Sequence, residues 1–142
     1  MERGHVVGRR DQLPTDALVG VHALVVDDDR DSRNLLKTVL EYCGALVTVV
    51  ASARDALRVL QRVTPDVIVT DIAMPTNDGY WLVDQIRSRR AEDGGSVPIV
   101  AITAHGDEHG PQRTLAAGFQ AHLRKPIDPW ELCRAVASLV RR

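Results

Sequence analysis

Five short apolar runs, separated by amphipathic stretches, leave this chain few ways to fold. His22-Ala-Leu-Val-Val26 stops at Asp27-Asp28-Asp29, and Asp66-Val-Ile-Val-Thr-Asp71 also ends on an acid. Ala45-Leu-Val-Thr-Val-Val50, Val97-Pro-Ile-Val-Ala-Ile-Thr103 and the stretch from Phe119 to Leu123 complete the set. Runs this short and this continuously apolar read as strands buried on both faces. Pro98 stands near the start of its run, where a missing donor is tolerable.

The intervening stretches carry helical periodicity and punctuation. Leu35, Leu36, Val39, Leu40 and Cys43 fall on one helical face, and Gly44 supplies a stop. Ser52 is an N-cap with Asp55 three residues on, ahead of the apolar face Ala53, Ala56, Leu57 and Leu60. Asn77 or Asp78 can cap a helix through Leu82, Val83 and Ile86, and Gly110-Pro111 opens a shorter helix that ends at Gly118. Asp128-Pro129 pairs a capping carboxylate with proline at the first helical position. Leu132, Val136, Leu139 and Val140 make the last apolar face, and Arg141 and Arg142 suit that helix's C-terminal dipole. Strand–helix alternation of this kind implies an α/β fold: a doubly wound, five-stranded parallel sheet with helices on both faces.

The 142 residues suit one domain, with residues 1–20 read as an N-terminal tail or linker and 21–142 as the domain. Apolar residues at 44% and a net charge of -1 exclude a disordered chain, and give no electrostatic reason to bind nucleic acid. No apolar run approaches the roughly 20 residues of a membrane helix, and the N-terminus lacks a signal-peptide core, so a cytoplasmic location is expected. The 2 cysteines, Cys43 and Cys133, are expected to stay reduced. They lie at opposite ends of two helices that should run parallel on one side of the sheet, so a disulfide between them is rejected. His105 and His109 read as loop histidines and His22 as a packed strand residue. Trp81 and Trp130 read as half-buried, and Arg87, Arg89 and Arg90 as a solvated basic helix end.

Binding groups of a doubly wound sheet gather at the carboxyl ends of its strands. Asp27 and Asp28 end the first strand, Asp71 the third and Thr103 the fourth, while Lys125 follows the fifth. Carboxylates gathered at one edge repel, and need a cation or raised pKa values. An oxygen-only donor set suits a hard ion, Mg2+ first.

These residues resemble a known family. Val-Val-Asp27-Asp28-Asp29, Thr-Asp71-Ile-Ala-Met-Pro75 with Asp78-Gly79, Ile-Thr103-Ala104 and Lys125-Pro126 look like the signature of the CheY-like receiver domain of bacterial two-component response regulators. The resemblance covers residues 21–142 and implies strand order 2-1-3-4-5. It implies that Asp71 accepts a phosphoryl group from a sensor kinase phosphohistidine, in a protein that catalyses only its own phosphorylation and dephosphorylation. Mg2+ would be held by Asp28 directly, Asp27 through water, Asp71 and the Ala73 carbonyl. Thr103 and Lys125 would contact phosphoryl oxygens, with small Ala104 leaving room for the donor. His122 stands where the family commonly has Tyr or Phe as a rotating output switch. The implied partners are a sensor histidine kinase or histidine phosphotransfer protein, and a downstream protein that reads the helix four–strand five–helix five surface. Direct nucleic-acid or membrane contact is not implied, and weak homodimerisation is compatible with the family.

Two rival readings account for less. Asp27-x-Asp29 also resembles the nucleophile motif of haloacid-dehalogenase-type phosphatases, which leaves Asp71 and Lys125-Pro126 unexplained. A receiver that binds partners without phosphorylation leaves the intact constellation of acids, threonine and lysine without a purpose.

Overall fold

The computed structural model describes residues 15–104 and 110–140. His105, His109, Arg141 and Arg142 lie outside them. The elements run β1 (His22–Val26), α1 (Arg30–Tyr42), β2 (Leu46–Val50), α2 (Ala53–Leu60), β3 (Val67–Asp71), α3 (Gly79–Arg87), β4 (Ile99–Thr103), α4 (Pro111–Ala117), β5 (Ala121–Arg124) and α5 (Pro129–Val140). All strand pairs are parallel, in the expected order 2-1-3-4-5. Alternation along the central strands splits the core in two. Ala23 and Val25 face α1 and α5, where Leu36, Leu40, Leu132 and Val136 pack. Leu24 and Val26 face the opposite layer, with Ala56, Leu60, Leu82 and Ile86. Among the described residues, no helix is long and apolar enough to cross a membrane.

Helix starts follow local capping chemistry. Asp29, Ser52 and Asp78 side chains accept from the amides of Ser32, Asp55 and Trp81. Asp128 accepts from Trp130 N at 2.9 Å. The tryptophans are half-buried as expected, with Arg54 stacked over Trp81 and Arg134 over Trp130. His22 packs in its strand, its Nε2 2.8 Å from Thr48 Oγ1.

Three features depart from the sequence reading. Phe119 precedes the fifth strand instead of opening it, and its ring meets the Tyr80 ring edge-on at 6.0 Å in the α3 layer. Arg87 is not solvated. Its guanidinium is half-buried and donates to the carbonyls of Gly95, Val97 and Gly118 and to Gln120 Oε1. Cys43 and Cys133 form a disulfide, with their Cα atoms 6.9 Å apart. The two helices do share a layer, but not a starting level. The register sets Val26 beside Thr70, Thr70 beside Ala101 and Ala101 beside His122. From that common level α1 begins at Arg30, whereas α5 begins only at Pro129, after a longer connection. The offset sets Cys133 against the last turn of α1, its Sγ 3.9 Å from the Val39 carbonyl.

Leu18, within the stretch read as tail or linker, belongs to the core. It is fully buried and donates its amide to the Cys43 carbonyl at 2.8 Å. The loop after β3 carries one strained residue, Thr76, with φ 70. A β-branched residue is disfavoured there by sterics that glycine lacks. Thr76→Gly should therefore stabilise the fold by about 1 kcal/mol in urea unfolding, after glycine's added chain entropy is subtracted. A destabilised variant would show that the loop does not hold this conformation.

Candidate functional site

β1 delivers Asp27 fully buried, with Asp28 exposed beside it. β3 delivers Asp71, buried at its last residue. Each of these carboxylates offers an oxygen, and the three oxygens lie within 4.8 Å of one another. Lys125, just past β5 and before a cis peptide to Pro126, bridges two of them. Its Nζ lies 3.6 Å from Asp27 Oδ2 and 3.6 Å from Asp71 Oδ2. Asp27 Oδ1 accepts from Asp29 N at 2.9 Å, whereas its buried Oδ2 has no hydrogen-bond partner.

One ammonium does not balance three acids, and the carboxyl groups register the deficit. Burial pushes Asp71 up to about 6; the nearby Asp27 and Asp28 charges add to the rise and Lys125 opposes it. Burial likewise raises Asp27 above the usual carboxylate range. A buried carboxylate oxygen with no hydrogen bond, faced only by an ammonium at 3.6 Å within an oxygen-only cluster of described residues, is what a hard divalent cation would satisfy, so these residues fit Mg2+.

The rest of the rim follows from backbone approach. Gly79 opens α3 against β3, where a Cβ would stand 2.9 Å from both the Asp71 carbonyl and Ile72 Cα. Ala73, exposed, donates its amide to the Asp71 carboxylate. Exposed Ala104 leaves the approach above β4 open. Thr103, at the end of β4, is almost fully buried, and its Oγ1 lies 2.7 Å from His122 Nε2.

Two neighbours escaped the sequence reading. Ser32 Oγ lies 3.4 Å from Lys125 Nζ, and Arg33 Nη1 donates to the Asp27 carbonyl at 2.8 Å. Their signal was the three-residue spacing from Asp29 to Ser32, which starts α1 at the acidic cluster and points its first turn at the site.

The arrangement places one carboxylate, Asp71, between paired acids able to hold a cation and a lysine able to neutralise an anion. Such a site suits an incoming phosphoryl group, whose transfer depends on positioning and charge neutralisation. Comparison with known proteins gives the same reading. The response regulator receiver domain family matches residues 23–137. A 14.6 kDa protein from the sodA1 3′ region of Leptolyngbya boryana is 44% identical over 119 residues, covering 84% of this chain and 89% of that one. The response regulator SaeR of Staphylococcus aureus is 31% identical over 121 residues; the match covers 85% of this chain and about half, 51%, of SaeR. The receiver domain of the sensor histidine kinase PA1611 of Pseudomonas aeruginosa superposes with a TM-score of 0.77 at 31% identity. It covers 87% of this chain and 100% of that one, and carries a magnesium ion coordinated in its active-site cleft. With its sheet order, its acidic cluster and its sequence in agreement, the chain belongs to the response regulator receiver domain family, the signalling modules of two-component systems.

Proposed function

We propose that Asp71 is the phosphoacceptor, taking a phosphoryl group from the phosphohistidine of a sensor kinase or histidine phosphotransfer protein. The convergence of Asp71, the buried Asp27 oxygen that lacks a hydrogen bond, and Lys125 supports this most directly. Asp27, Asp28, Asp71 and the carbonyl of Ala73 would hold Mg2+. Bound there, the ion supplies positive charge against phosphoryl oxygens. An Asp71 carboxylate oxygen attacks phosphorus, the phosphorus–nitrogen bond of the donor breaks, and an acyl phosphate forms. Lys125 pivots from its two carboxylates to a phosphoryl oxygen. The protein acts on no other substrate, and the labile product lets the signal decay.

The output begins at Thr103. Its hydroxyl is engaged by His122 in this structure, so bonding a phosphoryl oxygen requires that contact to break or reorient. This contact supports a role for His122 as the output switch, through the hydroxyl of Thr103. The reading element is the surface of α4, β5 and α5, for a downstream protein in the cytoplasm. Residues 21–142 form the receiver, and Leu18, just before them, packs into its core.

Incubation with Mg2+ and acetyl phosphate should add one phosphoryl group, followed by intact mass. Asp71→Asn and chelation should each reduce it to background, while Lys125→Ala should slow it roughly 100-fold. Undiminished labelling of Asp71→Asn at a neighbouring aspartate would overturn the assignment.

A further inference from the structure

Both cysteines of the chain, 90 residues apart in sequence, meet in the core between α1 and α5. Neither has exposed surface. Cys43 caps the end of α1, and Cys133 sits one turn into α5. The closed loop spans β2 to β5 and encloses Asp71, Thr103, His122 and Lys125. α5 is also one wall of a groove of about 450 Å³, whose floor is His122, Leu123 and Arg124 and whose α5 side carries Glu131, Arg134 and Ser138. The helix that shapes this groove is thus covalently held to the helix that opens beside the acidic cluster.

We propose that Cys43 and Cys133 form a redox-controlled staple that sets how freely α5 moves, and so how far the groove can respond to phosphorylation of Asp71. The inference rests on the receiver reading. In the reduced protein α5 packs against Leu36, Val39, Leu40 and the sheet with no covalent tie to α1. A helix so held opens locally at a lower free energy than the central strands. In the oxidised protein that opening is restrained by a bond. The chemistry balances by thiol–disulfide exchange: two protein thiols and one low-molecular-weight disulfide give the protein disulfide and two small thiols. Because both sulfurs are buried, exchange waits on detachment of α5, which makes the staple slow to close and slow to release.

The test equilibrates the full chain in buffers of oxidised and reduced glutathione, then denatures, alkylates and weighs it. Amide hydrogen exchange over 129–140 is measured on the same samples, and on Cys43→Ala/Cys133→Ala. Excess oxidised glutathione should yield no alkylated cysteine, and excess reduced glutathione two. Exchange in α5 should be about tenfold or more faster in the reduced protein and in the double alanine variant. Two alkylated cysteines in every buffer, or α5 exchange unchanged by redox state, would overturn the staple. Phosphorylation of Asp71 by acetyl phosphate, run alongside, separates the two readings. Its absence in both redox states counts against the receiver chemistry, whereas intact labelling with no redox difference in α5 counts against the staple alone.

Discussion

Asp71→Asn should melt at a higher temperature than the wild type in metal-free buffer near pH 8. The Asp71 carboxyl titrates near 6 in the fold, against 3.8 for a free side chain, because burial and the neighbouring acids disfavour its charge. The folded state therefore holds this proton more tightly than the unfolded chain. Stability falls as pH rises from about 4 to about 6, and the full penalty, about 3 kcal/mol at most, stands above that range. Asparagine removes the charge but leaves an amide to satisfy, so the net gain should be about 1–3 kcal/mol, or roughly 5 °C in a domain of this size. Well below about pH 4 the wild-type carboxyl is protonated in both states, and the electrostatic part of the difference should vanish. Adding Mg2+ should narrow or reverse the ranking, because the ion stabilises whichever protein binds it better. Thermal unfolding with chelator across pH decides the matter: equal melting temperatures at pH 8 would show that Asp71 ionises without cost.

Arg87→Ala should cost about 2–4 kcal/mol in urea unfolding, far beyond the roughly 0.5 kcal/mol usual for a solvated helix end. Nη1 donates to the carbonyls of Gly95 and Val97 at 2.9 and 2.8 Å. Nε and Nη2 both reach the Gly118 carbonyl, at 3.1 and 2.8 Å, and Nη2 also reaches Gln120 Oε1 at 2.7 Å. Gln120 Oε1 accepts in turn from Ile99 N, so one guanidinium ties the end of α3 to the starts of β4 and β5. Burial lowers its pKa, yet it stays charged, because only the protonated fork can supply these donors. Arg87→Lys should recover less than half of the loss, since one ammonium cannot span carbonyls on two loops. A loss below 0.5 kcal/mol for Arg87→Ala would return this residue to the solvated surface that its spacing suggested.

Arg87 and Ser52 differ in how far along the chain their partners lie. Ser52, and the pair Asn77 or Asp78, were legible as caps because a cap accepts from an amide within one turn of chain, as Ser52 and Asp78 do from residues three on. The strands were legible because burial on both faces forces a continuous apolar run. Asp27, Asp71 and Thr103 were legible because each marks where such a run stops, and parallel strands bring their carboxyl ends to one edge. The features that were not legible depend on levels and distances between elements far apart in the chain. The offset of α5 against α1 joins Cys43 to Cys133, although counting along either helix separates them. Leu18 lies in the short stretch Ala17-Leu18-Val19, which has no sustained periodicity, and it joins the core where its amide meets the Cys43 carbonyl at the base of α1. Arg87 has the composition of a surface residue and the partners of an interior one. The rise of the Asp71 carboxyl and the contact between Thr103 and His122 belong to the same class. Desolvation and hydrogen bonding are properties of what surrounds a side chain, and here those surroundings come from strands and helices that meet only when the sheet is complete.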